Sequence, residues 1–127
     1  HITHLTARIR YLKTIVSANL GPVFTDCPAG AGPDAARPLR VADMVIIITT
    51  PAVASIQDAA KTAAMARTLG TTVAGVIVTQ TDSPPRGLSE MFAAPTLHSV
   101  PERTEPLHSP VVTQAYSAIT ETLLRKK

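Results

Sequence analysis

Aromatic side chains are scarce in this sequence. Its 127 residues include two Tyr, two Phe and no Trp, although 45% of the residues are hydrophobic. The core therefore has to be built from aliphatic side chains and Ala, which favours helices packed on a parallel sheet over a sandwich of aromatic-rich strands. The length suits one domain, which we assign to residues 1–127.

The sequence has a single cysteine and lacks long apolar runs and clusters of metal ligands. Cys27 is the only cysteine, so an internal disulfide is excluded and a reducing, cytoplasmic location is expected. No stretch of about 18 apolar residues could span a membrane. The four histidines lack accompanying cysteines or clustered carboxylates, which argues against a histidine-based metal centre. The chain begins at His1 and its first methionine is Met44, so we expect it to be a piece of a longer protein.

Basic residues outnumber acidic ones and give a net charge of +3. They are scattered, and the only run is Arg125–Lys127 after the last apolar segment. Three cations at that point complement the dipole of a C-terminal helix. A weak contact with an anionic membrane or with nucleic acid is the alternative interpretation.

Apolar periodicity divides the chain into alternating helices and strands. It predicts, in order, a helix over 3–18, a short strand at 23–25, a loop at 27–33, a short helix from Asp34 to about 41, a strand at 44–49, a helix capped by Thr50 and running to about 69, a strand at 73–78, a helical turn at 88–92, a strand at 96–100 and a helix over 111–124. This order predicts an α/β fold with a mostly parallel sheet flanked by helices. Ligand-binding loops then follow the carboxyl ends of the strands.

The segment Val23–Gly30 carries the strongest chemical signal. A short apolar run ends in Asp26, the chain breaks at Pro28, and Gly30 follows. A carboxylate at a strand end can hold the water shell of Mg²⁺, and a glycine lets its backbone N–H approach a phosphate. The alternative is that Asp26 is an ordinary N-cap or turn residue. Cys27 is interpreted as a packing residue rather than a nucleophile.

The phosphate-cradling loop is absent from the sequence. No G-x-x-x-x-G-K-[ST] motif occurs, since none of the six glycines is followed by Lys. Phosphoryl transfer depends on that lysine and on the hydroxyl beside it for positioning and charge neutralisation.

Four segments, in order and with matching spacing, resemble the MinD/ParA group of P-loop ATPases, which carry a deviant Walker A loop. They are Val23–Gly30 (VFTDCPAG), Val41–Asp58 (VADMVIIITTPAVASIQD), Gly75–Gln80 (GVIVTQ) and Ser99–Glu102 (SVPE). The first is similar to the Walker B strand and switch II loop of the family, and the third and fourth to its base-binding segments. The resemblance covers about residues 5–125 and is closest to archaeal MinD-like sequences.

The resemblance implies a partial P-loop NTPase fold with a twisted parallel sheet, MgATP as ligand, and a nucleotide-sandwich dimer. It also implies a division or partition partner and a role on the membrane or nucleoid, in positioning the division or segregation machinery. The family's roles pass to individual residues here. By this resemblance, Asp26 orients the Mg²⁺ water shell or the attacking water, and Pro28, Ala29 and Gly30 form the loop at the γ-phosphate. Thr79, Pro101 and Glu102 line the base pocket, and Asp58 lies on the switch and partner surface.

Departures from the family are informative. Thr79-Gln80 replaces the commoner Asn-Arg, Arg103 stands where an acidic residue is usual, and the Walker A loop is missing. We therefore expect the C-terminal part of a MinD/ParA-like nucleotide domain. The first alternative is a non-catalytic interaction module derived from this fold. Another is a relative of the amidotransferase-type cobyrinate synthases or of dethiobiotin synthetase.

Overall fold

The computed structural model describes residues 13–15, 17–18, 21–28, 30–103 and 108–125. Its elements are α1 (Pro33–Leu39), β1 (Met44–Thr49), α2 (Val53–Thr68), β2 (Thr72–Val78), α3 (Leu88–Phe92), β3 (Thr96–Ser99) and α4 (Pro110–Arg125). Residues 13–15 and 17–18 are helical. The rest of the helix predicted over 3–18 lies outside the described residues.

The three strands form one parallel sheet in the order β1-β2-β3. Met44 pairs with Thr72 at the start of β1, and Thr49 pairs with Val78 at its end. The predicted α/β fold, with a parallel sheet flanked by helices, is therefore confirmed. Continuous apolar runs form both β1 and β2, as is typical of parallel strands covered on both faces; β2 is buried over its second half, whereas Ile48 of β1 is 65% exposed.

Each face of the sheet has its own apolar cluster. Ala59 and Ala63 of α2 pack with Val76, Val78 and Phe92 on one face. On the other face Ile77 packs with Val100 and with Val112 and Ile119 of α4. The alanines of α2 bring its backbone close to the sheet, which compensates for the shortage of large aromatic side chains.

Gly75 in the central strand makes room for a neighbouring side chain. A Cβ placed there would lie 2.4 Å from Cγ of Leu97 and 2.7 and 2.8 Å from its two Cδ atoms. Real Cβ contacts are never this short, so Leu97 occupies the space that any other residue at position 75 would need. The β2–β3 pairing thus depends on this glycine.

The short helix α3 is fastened at its C-terminal end. The Arg67 guanidinium of α2 donates a hydrogen bond to the carbonyl of Phe92, the last residue of α3. Ala93 follows with φ 47°, a left-handed conformation that L-residues other than Gly adopt at a cost of about 1–2 kcal/mol.

Three local predictions are wrong. Val23–Thr25 is not a strand of the described sheet; it is exposed, with Phe24 at 73%. Asp34 does not cap α1, because Gly32 occupies that position and Asp34 pairs with Arg37 in the first turn. Thr50 does not cap α2 either, since the helix begins at Val53 with Ala52 as its N-cap.

Candidate functional site

Loops at the carboxyl ends of the three strands meet along one edge of the sheet. They comprise residues 50–52 after β1, 79–87 after β2 and 100–103 after β3. In open α/β sheets this edge is where ligands bind. It is the part of the structure in which the predicted base-pocket residues Thr79, Pro101 and Glu102 lie.

The end of β1 is held by a pair of hydroxyls. The buried Thr49 places its Oγ1 2.9 Å from Oγ of Ser55, and the backbone N–H of Thr50 donates to the same Ser55 oxygen at 3.0 Å. Ser55 reaches back from the first turn of α2 to the residues that precede the helix. The start of α2 is thereby fixed to the sheet.

Thr79 links the end of β2 to the end of β1. Its N–H donates to the carbonyl of Thr49 at 2.8 Å, and its Oγ1 lies 3.4 Å from the same oxygen. The half-buried Thr79 therefore lies at the strand-end edge where the sequence predicted a base contact. Its hydroxyl is turned toward β1.

Gln80 follows in a left-handed conformation with φ 60°. Such a conformation costs a residue other than Gly about 1–3 kcal/mol and persists only where neighbouring contacts impose it. Here both neighbours of Gln80 are held by backbone hydrogen bonds: the N–H of Thr79 donates to Thr49 of β1, and the N–H of Thr81 donates to the carbonyl of Val100 at 3.1 Å. Thr81 also closes a small turn through its hydroxyl, which accepts from the N–H of Ser83 at 3.0 Å.

Two charged residues whose pairing sequence analysis missed connect the loops after β2 and β3. Arg103 donates from two nitrogens to the two carboxylate oxygens of Asp82, both at 3.0 Å, and also to the carbonyl of Glu102 at 2.6 Å. The hydrogen bond from Arg103 holds the pKa of the Asp82 carboxyl below its ordinary value. The signal was present in the sequence, since opposite charges follow two strands that the fold makes neighbours.

The loop after β3 carries the remaining base-pocket candidates. Pro101 is half-buried, whereas Glu102 is exposed. Because the N–H of Val100 donates to the carbonyl of Val78 at 2.8 Å, this loop leaves the sheet beside the loop that carries Thr79. The structure thus brings Thr79 and Pro101 to neighbouring loops on one edge.

The predicted switch loop lies before α1. Asp26 and Pro28 are exposed, and Ala29 lies outside the described residues. Gly30 has φ +99°, a backbone conformation suited to glycine, and no atom lies within 4 Å of where its Cβ would be. The open side of Gly30 allows close approach by a ligand.

A hydroxyl of α2 joins this loop to the predicted partner surface. Oγ1 of Thr62 donates to the carbonyl of Gly30 at 3.1 Å and lies 3.2 Å from the carbonyl of Asp58. The Asp58 carboxylate is exposed and lies 4.0 Å from the Lys61 ammonium. Gly30 and Asp58 therefore share one neighbour, Thr62.

Cys27 does not have the environment of a nucleophile. Burial, followed by the negative charge of Asp26, raises the pKa of its thiol above the ordinary value of 9.0. A raised pKa disfavours the thiolate at neutral pH, which supports the packing interpretation.

A protein-held metal cluster is not formed by the described side chains. No group of three or more His, Cys, Asp or Glu residues converges among them. A lone exposed carboxylate such as Asp26 fits Mg²⁺ bound mainly by phosphate and water, because Mg²⁺ keeps several waters and needs few protein ligands. Within the described residues, the helices are also too short or too polar to cross a bilayer.

A cavity of about 340 Å³ lies against α1 and the residues just before it. Its lining residues are Ala31, Gly32, Pro33, Ala36, Arg37 and Arg40. Arg37 gives one nitrogen to Asp34 at 2.7 Å, and its Nε is buried without a hydrogen-bond partner in the described structure. None of the predicted site residues lines this cavity.

Comparison with known proteins supports the resemblance. No protein-family model matches the sequence. An uncharacterized ATP-binding protein of Methanocaldococcus jannaschii is 33% identical over 85 residues, which is 63% of this chain and 32% of that protein.

Solved structures with the same fold include MinD proteins. The Aquifex aeolicus MinD cell division protein matches 97% of this chain and 61% of its own, with TM-score 0.81 and 17% identity. MinD of Pyrococcus horikoshii, solved with Mg-ADP, matches 91% and 56% with TM-score 0.74 and 20% identity. The cell division ATPase MinD of Pyrococcus furiosus matches 94% and 59% with TM-score 0.71 and 19% identity.

These likenesses confirm the predicted MinD-like P-loop fold. The chain spans about a third of the curated relative and 56–61% of the MinD chains.

Proposed function

We propose that this chain is the C-terminal part of a MinD/ParA-like ATPase and supplies the base-side and switch loops of its MgATP site. The observation that carries the proposal is the edge where Thr79, Gln80 and Pro101 follow neighbouring strands of a MinD-like sheet. The similarity to an ATP-binding protein supports the same ligand.

Each loop has a distinct task in this proposal. Thr79, Pro101 and Glu102 take the base, and the loop Pro28–Gly30 takes the terminal phosphate. Gly30 suits that task because its φ of +99° and the open space around it let the backbone reach a phosphate oxygen. Asp26 orients water bound to Mg²⁺, and the metal, when bound, neutralises charge on the phosphates.

The Asp58 surface takes a partner protein. Thr62 contacts both Gly30 and Asp58, so a nucleotide-dependent shift of the switch loop reaches the exposed face of α2 through one side chain. In the intact protein this fits a homodimer that positions division or partition machinery on a membrane or nucleoid surface.

Calorimetry of the protein in its natural full length tests the MgATP site. We expect the native sequence to bind MgATP, and Asp26→Asn to bind it about tenfold more weakly, because a charge-assisted contact is worth roughly 1.5–3 kcal/mol. Asp34→Asn is the control, since this exposed carboxylate is paired with Arg37 outside the proposed site. The proposal is refuted if the folded protein shows no binding of MgATP at about millimolar concentration, or if the Asp26 variant binds it with unchanged affinity.

The second candidate is a non-catalytic interaction module. It is favoured by the exposure of Asp26 and by the contacts that join Gly30 and Asp58 through Thr62 without any ligand. The calorimetric titration separates the two functions. If circular dichroism shows that the protein is folded and calorimetry shows no MgATP binding, the result supports the module. MgATP binding that depends on Asp26 excludes it.

A further inference from the structure

We propose that Asp82 and Arg103 are positioning residues, which lock the loops after β2 and β3 together and thereby set the preference of the site for adenine over guanine nucleotides. The proposal rests on the proposed function, because it requires a nucleotide at this edge of the sheet. It concerns residues that contact one another and act on the ligand through the loop between them.

The ion pair is the outermost of a series of links between the two loops. Backbone hydrogen bonds join Val100 to Val78 at 2.8 Å and Thr81 to Val100 at 3.1 Å. Beyond them, two nitrogens of Arg103 bind the two oxygens of Asp82 at 3.0 Å each. A two-point contact of this kind fixes orientation as well as distance.

Arg103 also holds its own loop. One of the nitrogens that binds Asp82 donates to the carbonyl of Glu102 at 2.6 Å. A single guanidinium therefore contacts both loops, so loss of either charged partner removes the side-chain link between them and leaves only the backbone hydrogen bonds.

Gln80 is the residue that this arrangement orients. Its backbone is left-handed, with φ 60°, between Thr79, which is bonded to β1, and Thr81, which is bonded to Val100. Its side chain is exposed and makes no hydrogen bond to other described residues. An unoccupied amide on a constrained backbone at a ligand edge is suited to reading a planar base.

The chemistry of the amide favours adenine. A glutamine amide presents one donor and one acceptor side by side, which complements N7 and the N6 amino group of adenine. The O6 and N7 atoms of guanine are both acceptors, so the amide satisfies only one of them. Base preference thus depends on the orientation of Gln80 and, through the loop, on Asp82 and Arg103.

A purely structural role predicts a different result. The Arg103 and Asp82 side chains are 36% and 65% exposed, and exposed ion pairs add little to global stability. We therefore expect substitutions of the pair to change nucleotide preference while the melting temperature stays nearly constant.

The experiment compares the affinities of the full-length protein for MgATP and MgGTP. Asp82→Asn and Arg103→Gln should each lower the ATP-to-GTP preference about tenfold, and the charge-exchanged double variant Asp82→Arg/Arg103→Asp should recover most of it. Gln80→Gly removes the amide but keeps a residue that accepts positive φ, and it should lose the preference to the same extent. Combining Gln80→Gly with Arg103→Gln should add no further loss. Glu121→Gln breaks another exposed ion pair, 3.6 Å from Arg125, and should change nothing.

Each outcome is decisive. If the native protein prefers ATP and the Asp82 and Arg103 variants keep that preference, the positioning role is wrong and the proposed function stands. If the variants weaken both nucleotides equally and also melt much earlier, the pair is only structural. If the folded native protein binds neither nucleotide, both the proposed function and this inference are overturned.

Discussion

Gly75 offers the sharpest test of how the sheet is packed. Replacing it with Ala puts a methyl group 2.4 to 2.8 Å from three carbons of the Leu97 side chain. Because Gly75 is buried in the central strand, the conflict is relieved only by moving Leu97 or the β2–β3 pairing. Overpacking of this size costs about 1–3 kcal/mol, which is a substantial share of the roughly 5–15 kcal/mol that stabilises a typical domain.

Removing the Leu97 side chain should rescue part of this loss. Leu97→Ala alone removes a half-buried side chain and should destabilise the fold by roughly 1–2 kcal/mol, less than a fully buried leucine would. In the double variant the new methyl group occupies space that the leucine has vacated. We expect the destabilisation of the double variant to be smaller than the sum of the two single losses by about 1 kcal/mol or more, since residues in direct contact are not independent.

Urea unfolding followed by circular dichroism measures these free energies. Gly21→Ala is the matched control, because no atom lies within 4 Å of a Cβ at that exposed position and φ there is not positive. It should change stability by less than about 0.5 kcal/mol. Gly75→Ala with native stability, or losses that simply add in the double variant, would refute the packing argument.

Three further predictions follow from local geometry. The Asp82 carboxyl should titrate below its ordinary pKa of 3.8, so its ion pair is complete above that pH and is lost as the pH falls through the lowered value; carbon NMR should show the pKa returning to normal in Arg103→Gln. Ala93→Gly should stabilise the fold by roughly 0.5–1 kcal/mol, because the relief of left-handed strain at φ 47° exceeds the extra conformational entropy that glycine gives the unfolded chain. An unchanged urea midpoint would contradict this. The chain alone should self-associate at roughly 50 μM, because β1 is an outer strand of the described sheet and Ile48 is 65% exposed. Ile48→Lys should shift the chain toward monomer in light scattering, and a sharp monomer peak from the unsubstituted chain would count against this.

Sequence analysis succeeded where burial on both faces leaves a continuous pattern. The apolar run at Val73–Val78 predicts a parallel strand, and Val76–Val78 of β2 is buried between the two clusters. The run at Met44–Thr49 also predicts a central parallel strand, but the central position is wrong in the described sheet, where β1 is an outer strand and Ile48 is 65% exposed. The strand predicted at Val23–Thr25 is wrong because the segment lacks packing of the kind that buries β2. Three residues of high strand propensity do not make a strand without a partner, and in the described structure they pair with none and leave Phe24 exposed.

Candidate site residues could be named from the sequence only where the signal is local. Gly30 and Thr79 stand beside a loop signal or a strand end, so the sequence points to them. Asp82 and Arg103 lie 21 residues apart, and only the pairing of β2 with β3 brings them together. The predicted N-cap of α2 was wrong because the helix begins later than expected, at Val53, so the Thr50 hydroxyl accepts from the N–H of Ala52, which precedes the helix.

The central position of β2 has a kinetic consequence. Val76 and Val78 face one apolar cluster and Ile77 faces the other, so neither cluster can be completed until β2 is in place. Both strand pairings are parallel and require a crossover connection, which makes them slow steps. We expect conservative truncations in β2 to slow refolding, whereas truncations such as Ile119→Val in α4 should mainly accelerate unfolding.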